Sequence, residues 1–206
     1  GVAPARLTFA SGAAASLNSL YTWRSDVGVE TGAALTCNGE VKIGDTASAL
    51  SALSVNGGAL TLHNHLWING GNNSTSTLNI AGGTVVAKKY FSIGNGGAGT
   101  AWGVFNFSGG ALETSGNVWI GNAGNTRGVA NISGGVWTNV VDLEVAHGGS
   151  AAGWLNMSGG EIVMPVTRNF IVAHSGNGHM TTGTVSVTGG QITATNGITF
   201  QIANAT

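Results

Sequence analysis

The feature that most constrains the fold of this chain is a Gly-Gly pair that recurs at nearly constant intervals. Successive pairs are separated by 25, 27, 25, 25 and 30 residues. The pairs are Gly57-Gly58, Gly82-Gly83, Gly109-Gly110, Gly134-Gly135, Gly159-Gly160 and Gly189-Gly190. A fixed period of this size is typical of a solenoid, in which each repeat buries its apolar face by stacking on its neighbours.

The residues before each pair alternate between apolar and polar, as in a strand with one buried face. Apolar residues lie four and two positions before the pair, and a small polar residue lies between them. These triplets are Leu53-Ser54-Val55, Leu78-Asn79-Ile80, Phe105-Asn106-Phe107, Ala130-Asn131-Ile132, Leu155-Asn156-Met157 and Val185-Ser186-Val187. The alternation predicts the first strand of each repeat.

Two further short strands are predicted after each pair. The inward residues of the second strand are Leu60, Val85, Leu112, Trp137, Ile162 and Ile192. Those of the third are Leu66/Ile68, Phe91/Ile93, Val118/Ile120, Leu143/Val145, Phe170/Val172 and Ile198/Phe200. Three short strands in each repeat indicate one coil of a parallel β-helix, whereas helical repeats do not fit because Gly is frequent and no run has a period of 3.6. We therefore expect an all-β single domain of seven to eight coils, about 35–40 Å long.

The register of the repeat divides the chain into two parts. Residues 1–26 match the repeat poorly and are predicted to be an irregular N-terminal coil or cap, and residues 27–206 form the β-helix repeats. Both ends are apolar and nearly uncharged, and unprotected strand edges promote further pairing. The residues expected to make contacts between subunit ends are Val2, Leu7, Phe9, Phe200 and Ile202. A homo-oligomeric head-to-tail filament is the favoured interpretation, and a piece of a longer solenoid or a capped monomer remains open.

Composition excludes some classes of partner. Charged residues make up 7% of the chain and its net charge is −1, so it supplies no basic field for nucleic acid. No run of 18 apolar residues predicts a membrane span. Low charge together with abundant Gly, Ser, Thr and Asn is typical of a secreted or surface protein. Cys37 is the only cysteine and occupies an inward position, which predicts a buried apolar residue and not a reactive thiol.

The best-preserved repeats, Leu78-Asn79-Ile80-Ala81-Gly82-Gly83 and residues 130–135, resemble those of known secreted β-helix proteins. The similarity covers residues 27–202 and extends to autotransporter-type passengers and other large bacterial repeat proteins. The resemblance implies a right-handed parallel β-helix and a bacterial extracellular or cell-surface location. It carries over no catalytic residue.

The polar residues do not predict catalysis. The eight acidic residues are scattered, so no pair of carboxylates facing a cleft is expected. Asp142 and Glu144 are predicted to point outward near Arg168, as a surface ion pair. His147 and His174 share one coil position, but no cysteine or acid is predicted to complete a zinc site with them, so a polar ladder is favoured. We therefore expect a protein that is not an enzyme and has no metal or cofactor.

Two sets of outward residues remain as candidates for structure or binding. The first is a ladder of amides that bonds along the rod or, alternatively, binds sugar hydroxyls: Asn79, Asn106, Asn131 and Asn156. The second is an exposed face formed by Trp67, Trp119 and Ile171. That face would pack against a neighbouring rod, bind a glycan or be covered by the chain's own loops. Together these features predict a structural subunit of an extracellular fibre or surface layer, with a surface adhesin or glycan-binding module as the alternative.

Overall fold

A computed structural model describes residues 4–44, 50–69, 73–96, 100–175 and 180–205. Within these ranges the chain is an all-β parallel β-solenoid without any helix, as the repeat predicts. Hence the described residues include no helix that is long and apolar enough to cross a membrane. Val2, one of the predicted end contacts, lies outside the described residues.

The strands form two parallel sheets in which neighbours come from successive repeats. Sheet one contains β1 (Ala5–Phe9), β2 (Ala14–Leu17), β4 (Ser25–Glu30), β5 (Ala34–Cys37), β7 (Leu50–Leu62), β9 (Thr75–Ala87), β11 (Trp102–Phe107), β12 (Ala111–Thr114), β14 (Arg127–Asn139), β16 (Ala152–Met164) and β18 (Thr182–Ala194). Sheet two contains β3 (Leu20–Thr22), β6 (Val41–Ile43), β8 (Leu66–Ile68), β10 (Phe91–Asn95), β13 (Val118–Asn122), β15 (Leu143–His147), β17 (Arg168–Ser175) and β19 (Ile198–Ala205).

The Gly-Gly pairs bend strands more often than they end them. In β7, β9, β14, β16 and β18 the first and second predicted strands are one continuous strand of 13 residues. The pairing shifts register near several of the pairs. At Gly83 the φ angle is +82°, and a Cβ there would lie 2.0 Å from the carbonyl oxygen of Gly58 in the preceding coil. Glycine is required at this bend because the backbone has positive φ and adjacent coils approach closely.

The core is one column of apolar side chains enclosed by the two sheets. The inward residues predicted for the repeats from β7 to β17 are buried, including Phe105, Leu112 and Trp137. Because parallel strands stack in register, equivalent residues of successive coils lie directly above one another. The period-two pattern therefore predicts this core correctly, apart from the final coil described below.

The first residues join the same stack. Strands β1, β2 and β3 pair in parallel with β4, β5 and β6, and Leu7 is in register with Val27. Their sequence lacks the Gly-Gly pair, which is why the repeat pattern does not reveal them. The structure thus places three regular strands in the segment predicted to be an irregular coil or cap.

Cys37 is predicted to be chemically inert in the native state. Its side chain is fully buried, and burial raises the pKa of its thiol to about 11. The thiolate, which is the reactive form, is therefore scarce at neutral pH. We expect no reaction with a thiol-specific disulfide reagent in the native protein and one equivalent after denaturation. Rapid stoichiometric labelling without denaturant would contradict this prediction.

Candidate functional site

A row of aromatic rings crosses the outer face of sheet two. We call this set the aromatic row: Trp67, His65, Tyr90, Trp119, His147 and His174. Successive ring centroids along it are 5.7, 4.7, 4.8, 5.1 and 5.3 Å apart. The Trp67–His65 contact lies within one coil, and the other four arise because parallel pairing places neighbouring coils about 4.8 Å apart. The rings of neighbouring coils therefore contact one another along this face.

The aromatic row changes the exposure expected at the predicted contact face. Trp67 and Trp119 are half-buried, and Ser92, which lies between them in register, is fully buried. Ile171 is only 6% exposed, so the prediction that it forms an exposed contact surface is wrong. The sequence pattern shows only that Ile171 points away from the core, whereas its exposure depends on the side chains around it.

The aromatic row ends in a group that we call the Glu-His cluster: Glu144, His147 and His174. Glu144 and His147 belong to β15, and His174 belongs to the adjacent strand β17. In a regular strand, residues three apart point to opposite faces. Here Ala146 has a φ of +66°, and this left-handed residue between them breaks the alternation. Glu144 and His147 therefore reach the same side of the sheet.

Glu144 is held by neighbours in the coils on either side. The indole Nε1–H of Trp119 donates to its Oε1 at 3.1 Å, and Nδ1 of His174 is hydrogen-bonded to its Oε2. Its side chain is almost completely buried, at 6% exposure. Glu144 lies at an outward position as expected, but Trp119 and His174 cover its carboxylate, so the expectation of an exposed surface ion pair is wrong for this residue.

His147 is oriented by an amide in the preceding coil. Asn122 donates its Nδ2–H to Oδ1 of Asn95 at 2.9 Å, so its own Oδ1 is an acceptor. That oxygen is 2.8 Å from Nδ1 of His147, which therefore carries the proton in the neutral ring. The unprotonated Nε2 of His147 lies 3.9 Å from Oε2 of Glu144.

The environment of His147 favours its neutral form. Burial lowers the pKa of His147 below its ordinary value, the charge of Glu144 raises it in part, and His174 lowers it further. At neutral pH the ring therefore keeps the lone pair on Nε2, which is the form that binds a metal.

The structure brings together three groups that the sequence does not associate. One possible ligand atom from each of Glu144, His147 and His174 lies within 4.8 Å of the others. The expectation that no acid accompanies the two histidines is therefore wrong. The other predicted members of the surface ion pair lie elsewhere: Asp142 accepts from the backbone N–H of Asn169, and Arg168 donates to the carbonyl of Val140.

The Asn ladder lies on sheet one, away from the Glu-His cluster. Its amides are linked from coil to coil, with Nδ2 of each donating to Oδ1 of the one before. The distances are 2.9 Å from Asn106 to Asn79, 3.0 Å from Asn131 to Asn106 and 3.0 Å from Asn156 to Asn131. Asn79 itself donates to the hydroxyl of Ser54 at 3.3 Å. This chain of bonds uses much of the hydrogen-bonding capacity that a sugar would need.

The four predicted end contacts that the structure describes lie on the terminal coils. Leu7, Phe200 and Ile202 are exposed, whereas Phe9 is half-buried and packs against the core. None of them belongs to the aromatic row or the Glu-His cluster. The solenoid therefore presents two separate kinds of surface, its ends and the outer face of sheet two.

Comparisons with known proteins add no identification: no family model, curated protein or solved structure matches this chain.

Proposed function

We propose that this chain is a structural subunit of an extracellular fibre or surface layer and that it assembles head to tail through the ends of its β-solenoid. In this proposal the solenoid is right-handed and has seven to eight coils, and the first two of the three strands expected in each coil are joined through the Gly-Gly bend in β7, β9, β14, β16 and β18. It is secreted by a bacterium, as the resemblance of its repeats to autotransporter-type passengers suggests, and it is not an enzyme.

The observation that carries the proposal is the exposure of core-type residues in the last coil. Phe200 is in register with Phe170, and their rings stack with centroids 5.1 Å apart. Phe170 is fully buried, whereas Phe200, in the last described coil, is 54% exposed. Likewise, Val187 is 49% exposed, whereas Met157, its partner in register, is buried. Covering such side chains is favourable by about 25 cal/mol per Å² of apolar surface.

The opposite end offers a complementary surface. Leu7 is 47% exposed, whereas Val27, its partner in register, is 4% exposed. Among the described strands, β1 pairs only with β4. An end of one subunit that pairs with the other end of the next makes a heterologous contact, and such contacts build filaments.

A charge introduced at the exposed ring of the last coil tests this assembly. We expect Phe200→Asp to abolish filament formation in sedimentation velocity and negative-stain microscopy, because end stacking would bury an unpaired carboxylate. Val136→Asp is the matched control, since Val136 is an exposed apolar strand residue in the middle of the rod. It should still assemble, and both variants should keep the circular dichroism of the wild-type protein. Filaments of Phe200→Asp that match those of the wild type would contradict end stacking.

A surface adhesin or glycan-binding module is the second candidate, and the aromatic row favours it. Beside the row lies a groove of about 380 Å³ lined by His65, Tyr90, Lys88 and Lys89, among other residues. The ring of Tyr90 already contacts His65 and Trp119, so a sugar would meet its exposed edge, and the two exposed lysines would supply positive charge for an acidic substituent. Specific glycan-array binding that Tyr90→Ala abolishes would support this candidate, and a blank array would count against it.

A further inference from the structure

We propose that Glu144, His147 and His174 bind one Zn²⁺ ion, which joins strand β15 to strand β17 of the next coil. This inference does not depend on filament assembly, because the Glu-His cluster lies on the outer face of sheet two and not at an end.

The donor set suits zinc. Two imidazole nitrogens and one carboxylate oxygen form a common three-ligand set for Zn²⁺, with a water molecule in the fourth position. Imidazole also selects against Ca²⁺ and Mg²⁺, which prefer oxygen ligands. The side chains of His147 and His174 are each about one-third exposed, so an ion can enter from solvent and keep a water ligand.

The spacing of the ligand atoms requires only a small adjustment. The three atoms lie within 4.8 Å of one another. Ligand atoms of a tetrahedral zinc ion are about 3.3 Å apart, as bond lengths of about 2.0 Å require. Rotation of the partly exposed histidine side chains can supply the difference without movement of the buried carboxylate.

Neighbouring side chains orient two of the proposed ligands, His147 and Glu144. Asn122 accepts the Nδ1–H of His147 and so directs its unprotonated Nε2 toward Glu144. Trp119 occupies Oε1 of Glu144, which leaves Oε2 facing both histidines. Partners that orient ligands in this way are typical of metal sites and fix the tautomer of a ligating histidine.

A purely structural hydrogen bond explains only part of the cluster. The bond between His174 and Glu144 satisfies the buried carboxylate without an ion. It leaves the unprotonated Nε2 of His147 3.9 Å from a second acceptor, Oε2 of Glu144. A cation between these two atoms removes the conflict, with Zn²⁺ taking the place of the proton between Glu144 and His174.

The test uses the whole chain without a histidine tag. Isothermal titration with Zn²⁺ should give one site per chain, and Ca²⁺ should give none. Co²⁺, used as a spectroscopic probe, should produce visible absorption bands of a four- or five-coordinate ion. The melting temperature should rise with Zn²⁺ concentration, because the ion binds the folded state.

The variants are chosen so that the solenoid still folds. Asn occupies the positions in register with the two histidines at Asn95, Asn122 and Asn204, so His147→Asn and His174→Asn place a residue that the stack already accepts. Glu144→Gln preserves the shape of the third ligand. Loss of a partner that orients a ligand typically lowers metal affinity by about 10–100-fold, and we expect a loss of about this size for Asn122→Ala. Each of the three ligand variants should lower the Zn²⁺ affinity by more than that. His63 is an exposed histidine outside the cluster, so His63→Asn should bind Zn²⁺ with the affinity of the wild type.

The wild-type titration decides the proposal even if a variant fails to fold. No heat with Zn²⁺ and no visible Co²⁺ band would overturn the proposal. Unchanged affinity and stoichiometry in folded His147→Asn and His174→Asn would equally overturn it, because the ion would then be bound elsewhere.

Discussion

Replacing Trp137 with alanine is expected to lower the free energy of unfolding by about 3–5 kcal/mol, the range for truncating a large buried aromatic residue. Trp137 is fully buried and packs edge-on against Phe91 and Phe105, with ring centroids 6.2 and 5.8 Å away. Its Nε1–H also donates to the buried hydroxyl of Thr114 at 2.9 Å. The core is narrow and is enclosed by the two sheets. The surrounding side chains therefore have little means of filling the cavity.

Chemical denaturation followed by circular dichroism measures this loss, and two variants serve as controls. Trp137→Phe keeps most of the apolar volume and should cost clearly less. Trp23→Ala removes an indole that is 60% exposed and should change stability by less than about 0.5 kcal/mol. Equal losses in Trp137→Ala and Trp23→Ala would mean that Trp137 is not part of a packed core.

Gly128→Ala is expected to destabilise the protein by more than about 3 kcal/mol, at the upper end of overpacking effects. A Cβ at Gly128 would lie 2.1 Å from the backbone nitrogen of Gly121 and 2.2 Å from the carbonyl oxygen of Ile93. Both atoms belong to sheet two, which lies close to sheet one at this corner. Gly128 lies in a column of glycines formed in register by Gly103, Gly128, Gly153 and Gly183. No side-chain rotation can relieve a clash between backbones.

Gly82→Ala is the matched control. A Cβ at Gly82 would lie 3.7 Å from its nearest neighbours, which is ordinary contact. Alanine there should be neutral or stabilise by up to about 1 kcal/mol, since it restricts the unfolded chain. Thermal and chemical denaturation measure both variants. If the two were equally stable, the claim that the sheets lie too close at Gly128 to admit a Cβ would be contradicted.

Much of the fold follows from the repeat because its physical causes are local. Alternation around Asn106 or Asn131 sets one buried face of a strand, and in-register stacking then places these faces in one core. The continuity of β7 or β14 through a Gly-Gly pair was not predictable. A glycine pair permits both a turn and a bend, and contacts with the adjacent coils decide between them.

The candidate site was predicted less well, because it depends on one backbone angle. Strand alternation separates Glu144 from His147, and only the positive φ at Ala146 reunites them. The sequence held a signal that the alternation rule does not use. Gly94 and Gly121 precede Asn95 and Asn122 at the same coil position, so a left-handed residue was already indicated there. Ala146 and Ala173 take the place of these glycines before the two histidines. The sequence therefore does not reveal that the backbone has the same left-handed conformation there.

The predicted contact face shows the same limit. Trp67, Trp119 and Ile171 all point away from the core, as alternation requires. Their exposure is set by contacts between columns, such as the stacking of Trp119 on His147 with centroids 5.1 Å apart. A one-dimensional pattern gives the direction of a side chain and not the neighbours that cover it.

Cryo-electron microscopy of the wild-type protein over a range of concentrations tests the proposed assembly most directly. End stacking predicts filaments in which the coil spacing of about 4.8 Å continues without a break from one subunit to the next. At each junction, Phe200 of one subunit should be buried against the first coil of its neighbour. Isolated short rods at every concentration, or filaments joined side by side with free ends, would contradict the account.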